Sequence, residues 1–179
     1  MATQRGTQLL GPDNATLTVH TSRTGAAAKA GHDLTIEVTS WQASLATADD
    51  PGSMSIEMTV DGGSLRVLDG RGGMQKLGDD DKVDIAKTID EDVLKREQIT
   101  FRSTSVEQAA DGGGLCIDGD LSLHGTAHPL SVDVVLNADG SLSAEAIIKQ
   151  SAWGMKPYST LYGALKVADD VRIKLESKA

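Results

Sequence analysis

The chain has 179 residues, 39% of them hydrophobic, and a formal net charge of −9. That size and composition exclude a disordered or fibrous chain and fit one folded unit over residues 1–179. The acidic balance argues against nucleic acid and anionic membrane surfaces as partners, because both attract cations.

The opening stretch, MATQRGTQLLGPDN, has no apolar run of signal-peptide length, which predicts a cytoplasmic protein. No run of about 18 apolar residues follows anywhere, so no membrane span is expected. Period-2 alternation, the mark of half-buried strands, takes over at Thr16–His20 and returns at Leu34–Val38. A shorter run covers Trp41–Ala46. After the turn Asp50-Pro51-Gly52 comes the cleanest strand, with Met54, Ile56, Met58 and Val60 on one face and Ser55, Glu57 and Thr59 on the other. Asp69-Gly70-Arg71-Gly72-Gly73-Met74 reads as a flexible loop.

Then the period changes. Ile85, Ile89 and Val93 are spaced four apart, as on one face of a helix. Asp79, Asp80 and Asp81 precede them and Lys95 and Arg96 follow, charges that suit the helix dipole at each end. The pattern predicts an amphipathic helix over about 82–95, with those three residues facing the sheet.

Alternation resumes at Ile99–Val106, Leu115–Leu123, Leu130–Val134, Leu142–Ile148 and Val171–Leu175. Asp111-Gly112-Gly113-Gly114 and Asn137-Ala138-Asp139-Gly140 are strong hairpin turns. The total is eight or nine strands joined by short loops. Such a chain is an antiparallel meander, and closing it into an up-and-down barrel removes its exposed edges.

The inward positions of that barrel are Leu17, Val19, Ile36, Val38, Ile56, Met58, Phe101, Ile117, Leu121, Val132, Val134, Ala146 and Ile148. They could form a packed core or the lining of a lumen. Only five residues are aromatic: Trp41, Phe101, Trp153, Tyr158 and Tyr162. A barrel lined by smaller aliphatic side chains leaves more space. Trp153, Met155, Tyr158, Leu161 and Tyr162 cluster late in the chain. Trp153 and Tyr158 read there either as ligand-contacting groups at a mouth or as a plug over the core.

Few residues offer chemistry. Cys116 is the single cysteine and reads as a buried, inert thiol. His124 and His128 flank a Gly-Thr turn with no third ligand nearby, so no metal and no cofactor are expected. His32 precedes Asp33, a pairing that can orient a general base, yet no nucleophile motif accompanies it. Its simpler reading is a polar group near the barrel mouth. Gly70-Arg71-Gly72-Gly73 lacks the spacing and the Lys-Ser/Thr of a phosphate loop. Arg71, Lys76 and Lys156 are the nearest loop cations for any phosphate on a ligand.

Several segments together resemble the YceI-like family. Ser64-Leu65-Arg66-Val67, the acidic helix, and Ile99-Thr100-Phe101-Arg102-Ser103-Thr104 follow its order. Ile117-Asp118-Gly119-Asp120-Leu121-Ser122-Leu123-His124-Gly125-Thr126-Ala127-His128-Pro129-Leu130 is similar to its hairpin. Ala30-Gly31-His32-Asp33-Leu34 is similar to its histidine-bearing strand start. Ser151-Ala152-Trp153-Gly154-Met155 stands at its aromatic-Gly turn, with Ala-Trp-Gly where an acidic-Phe-Gly triplet is usual. The resemblance implies a lipocalin-like barrel that holds an isoprenoid or similarly long apolar chain, and it implies a homodimer.

Three functions follow for comparison. One is a carrier of a polyisoprenoid, quinone or fatty chain, without catalysis. The second is a small barrel enzyme, of cyclase or isomerase type, using His32 or His124. The third is a stress-related interaction protein with a solid core.

Overall fold

The computed structural model describes residues 6–178. Residues 1–5, the start of the stretch read above for a leader, lie outside these, as does residue 179. The strands in chain order are β1 (Gly6–Leu10), β2 (Ala15–His20), β3 (Arg23–Thr24), β4 (His32–Val38), β5 (Trp41–Thr47), β6 (Ser55–Val60) and β7 (Leu65–Gly72). After the helix α1 (Asp79–Thr88) come β8 (Ile99–Gln108), β9 (Gly114–Leu123), β10 (Thr126–Leu136), β11 (Leu142–Lys149), β12 (Ser159–Thr160), β13 (Leu165–Val167) and β14 (Asp170–Ser177).

Eleven strands form one antiparallel sheet in the order β1-β5-β6-β8-β9-β10-β11-β14-β2-β4-β7. The registers reveal how this sheet closes. Trp41 faces Val60 in β5–β6, and Val38 faces Leu65 in β4–β7, so both ladders run on in the same sense across Thr39-Ser40. Thr39 N–H donates to Ser64 O (3.1 Å) and Asp61 N–H to Ser40 O (3.0 Å), which carries the pairing through the bend. β4 and β5 are therefore two halves of one bent strand, and so are β6 and β7. β1 and β2 behave likewise, pairing with β5 and then β4. Counted this way, eight long strands follow one another around a ring, and β14 closes it by pairing with β2. This is the expected up-and-down, lipocalin-like barrel.

Alternation then fixes which side chains face inward. Met54, Ile56, Met58 and Val60 all border the interior, while Ser55, Glu57 and Thr59 are exposed. The four inward residues are only half-buried, which is what a face opening on empty space looks like. Elsewhere the wall is dense: Ile36 is 1% exposed, Val106 2% and Ile117 3%.

At one end, here called the upper end, β2 stops and β4 begins. There a three-stranded sheet, β12-β13-β3, laces the two long loops together. The helix runs back from this end beside β7. Leu77 packs at Gly70, and Leu94 packs at Gly62. The helix starts at Asp79, earlier than the apolar spacing alone indicates, because Asp81 Oδ2 accepts from Gly78 N–H (2.8 Å) and caps the first turn. Its last turn widens into a π-helix over Ile89–Val93, with Leu94 N–H donating to Ile89 O (2.8 Å).

The expected loop at Asp69–Met74 is strand as far as Gly72, paired with β4. Glycine is needed there by close approach. A Cβ on Gly72 would come 1.6 Å from Arg23 Nη1, and one on Gly73 would come 2.3 Å from the His32 ring. β10 starts at Thr126, upstream of the expected Leu130. Pro129 lies where β10 pairs with β9 alone, since the β10–β11 ladder begins only at Asp133. A residue with no N–H costs nothing on that unpaired side.

Candidate functional site

The barrel encloses a cavity of about 1180 Å³ that extends from the lower strand ends to the loops of the upper end. That exceeds the roughly 300–1,000 Å³ of drug-sized sites. Its wall includes Leu17, Val19, Ile36, Val38, Ile56, Met58, Phe101, Ile117, Leu121, Val132, Val134, Ala146 and Ile148, every inward position read from the strands. Tyr158 borders it too. Trp153 does not. It is 3% exposed, its Nε1–H donates to Leu121 O (2.8 Å), and its ring meets His128 edge-on with centroids 5.8 Å apart. Trp153 also stands beside Pro129 and Leu130, where β10 and β11 have parted, and belongs to the buried apolar cluster with Leu121 and Leu123.

The strand pattern left one stretch of wall unassigned. Ile85, Ile89 and Val93 of the helical segment face the cavity, together with Asp81, Asp84 and Thr88. The four-residue spacing pointed to the three apolar positions, and the same helical period puts Asp81, Asp84 and Thr88 on or beside that face. Ile89 is half-buried, borders the cavity and packs against the apolar cluster that holds Leu94 and Phe101. Ile89→Asp is therefore expected to destabilise by several kcal/mol, since an unpaired charge there is partly desolvated and loses that packing. Urea unfolding of parent and variant measures this.

Polar groups collect at the upper end. His32 Nε2–H donates to Gln75 O (2.7 Å), so the ring ties the start of β4 to the chain leading into the helix. Asp33 does not orient that ring. Its Oδ1 accepts from Arg23 N–H (2.8 Å) and lies 3.9 Å from Arg23 Nε. Arg23 Nη1 donates in turn to Gly31 O (2.6 Å) and Arg71 O (3.0 Å). Arg23, His32, Gln75, Lys76 and Lys166 all reach the cavity. The space is thus apolar along most of its length, with polar groups gathered at the upper end, on the helix, and at Gln8 and Thr47 of the lower end.

His124 and His128 are not brought together as ligands. His124 occupies the β9–β10 turn at φ 53°, and His128 lies along β10 against Trp153. Among the described residues, no three His, Cys, Asp or Glu side chains gather as metal ligands would. No helix there is long and apolar enough to cross a membrane.

Cys116 is half-buried rather than buried, because Leu115 and Ile117 take the inward positions and turn it outward. Partial desolvation, followed by the carboxylates of Asp118, Asp133 and Glu107, pushes its thiol pKa up. The thiolate is the nucleophile, so alkylation by iodoacetamide at neutral pH should be slower in the folded protein than in the urea-unfolded chain. The folded rate should keep rising at alkaline pH after the unfolded one has levelled. Asp118→Asn should speed it, and equal rates in both states would contradict this account.

Comparison with known proteins agrees with the geometry. A search of curated protein sequences finds no match. The crystal structure of Burkholderia cenocepacia BcnA superposes with a TM-score of 0.62 at 20% identity, covering 90% of this chain and 94% of that one. A Campylobacter jejuni YCEI protein that crystallises with large solvent channels superposes with a TM-score of 0.55 at 15% identity, covering 80% and 82%. At such identities the likeness is one of fold. The model of the YceI-like domain matches residues 12–179, nearly the whole chain, and the chain belongs to that family.

Proposed function

We propose that the protein, as a single barrel domain, carries one long apolar molecule in its lumen, a polyisoprenoid, quinone or fatty chain, and does no chemistry on it. The observation that carries this reading is the 1180 Å³ cavity with its apolar wall. A chain entering it leaves water at about 0.8 kcal/mol per buried CH₂, so a long chain needs no charged anchor to bind. Met54 and Met58 add an unbranched, adaptable surface for a flexible guest. The polar upper end gives an amphiphile's head group somewhere to rest.

The enzyme reading draws no support from the histidines. Asp33 is engaged by Arg23, and His124 lies on a turn outside the cavity wall. The cavity itself speaks against a solid core. The homodimer implied by the family is part of the proposal, and sedimentation equilibrium checks it.

Mass spectrometry of an organic extract of the purified protein should show one long-chain lipid per barrel. Titration of the emptied protein with a fluorescent isoprenoid should saturate at one equivalent in the micromolar range or tighter. An empty extract together with no binding would end the carrier reading.

A further inference from the structure

Beyond a lumen that holds a lipid, we infer that the upper rim docks on a phospholipid bilayer, through the tip of the β12–β13 loop. Leu161 and Tyr162 form that tip. Both adopt left-handed backbone conformations, at φ 52° and 55°. Such backbone is uncommon for side chains of this size and is maintained only where the surrounding structure enforces it. Here it projects the two side chains into solvent: Leu161 is 53% exposed and Tyr162 fully exposed. Tyr158, just ahead of β12, is 48% exposed and borders the cavity, and Met74, on the loop leading into the helix, is 84% exposed and borders it too. Large apolar and amphipathic side chains therefore ring the same end at which the lumen meets its loops. Tyrosine and leucine are side chains that partition into the headgroup layer of a bilayer.

The charge around them fits that partner. The chain carries 26 acidic residues, yet 21–32, 70–78 and 150–168, the three segments of this rim, contain none. They hold Arg23, Lys29, Arg71, Lys76, Lys156 and Lys166. The acidic first turn of α1 begins just behind them at Asp79. The net charge of −9, which argues against anionic surfaces for the molecule as a whole, is thus unevenly spread: acidic residues meet these segments at their edges, at Asp33, which Arg23 holds, and at Asp69, Asp79, Asp169 and Asp170. A bilayer is also where long apolar chains reside. The docking goes beyond the carrier reading and rests on it only for what docking would accomplish, the passage of a lipid between membrane and lumen.

The test is flotation of the full protein with vesicles of phosphatidylcholine containing a minor share of phosphatidylglycerol. The informative variant is Leu161→Gly with Tyr162→Gly. Glycine adopts this backbone freely, so the fold should be retained or strengthened while the apolar tip is lost. Vesicle binding is expected to fall by about tenfold or more, because interfacial binding scales with buried apolar area. Val135→Ser, which removes an exposed apolar side chain at the opposite end, should leave it unchanged. Isoprenoid titration in solution should be the same in all three proteins, so failure of the lumen to bind is read separately from failure of the rim to dock. A parent that does not float with vesicles, or a double-glycine variant that floats as well as the parent, overturns the proposal.

Discussion

Ala146→Phe should weaken binding of a lumen ligand by about tenfold or more while leaving the barrel folded. Ala146 is 8% exposed on β11, faces Ile173 of β14, and borders the cavity. A benzyl group there is directed inward by the alternation of β11, which puts Ala144, Ala146 and Ile148 on the cavity side. It occupies the volume a guest needs and adds a strain cost of roughly 1–3 kcal/mol where the wall is tight. Titration with a fluorescent isoprenoid gives the affinity, and urea unfolding gives the stability. If affinity is unchanged and stability falls, the guest lies elsewhere. If both hold, β11 has moved outward to make room. Ala146→Ser, which changes polarity with little change in size, separates blockage from a local disturbance of the wall.

The second large effect concerns the wall of the lumen. Gly119 faces inward on β9, and the ring of Phe101 on β8 lies across it. A Cβ at position 119 would come 2.5 Å from both Phe101 Cζ and the Arg102 carbonyl oxygen. The ladder between these strands is already irregular here, with a register shift between Ser103 and Ser105. Gly119→Val should therefore cost about 3 kcal/mol, through overpacking against backbone that the ladder holds in place. Gly119→Ala should cost less. Combined with Phe101→Leu, it should cost less than the two single changes added, since the smaller side chain removes one of the two obstructions. Additive losses would mean that the carbonyl of Arg102, not the ring, sets the limit. A displaced Phe101 would also enter the cavity, so the valine variant should bind guests more weakly as well.

The wall of the lumen was legible because alternation reports the face of a strand directly. Met54 to Val60 and Leu115 to Leu123 show it most clearly, with their inward residues bordering the cavity and the residues between them turned outward. What alternation does not report is whether the next run folds back or continues onward. Gly11-Pro12-Asp13-Asn14 and Asp61-Gly62-Gly63-Ser64 carry the composition of turns, yet at both the chain bends and keeps its direction beside its neighbours. The Asp69–Met74 stretch was opaque for a different reason. Its glycines are dictated by Arg23, His32 and Leu77, side chains brought over it by tertiary packing, so a strand carries the composition of a loop. For Trp153 the neighbouring residues leave a mouth residue and a plug over the core equally open. Its burial beside Pro129, in a gap that exists only once β10 and β11 have separated, fits the second.

The closure of the ring also sets the order of events during synthesis. β2 lies near the start of the chain and β14 at its end, and Leu17 must find Leu175. At about 5–20 residues per second, the outer edge of β2 waits on the order of ten seconds for its partner to leave the ribosome. During that time the nascent sheet has an unpaired edge and an apolar face with nothing opposite it, the two features that recruit other chains. Contacts of this sequence separation form late and make folding slow. A C-terminal truncation that removes β14 should consequently leave β2 as a permanent edge and yield aggregates rather than a smaller barrel. Yield from cells should depend on chaperones that shield that edge until the last strand arrives.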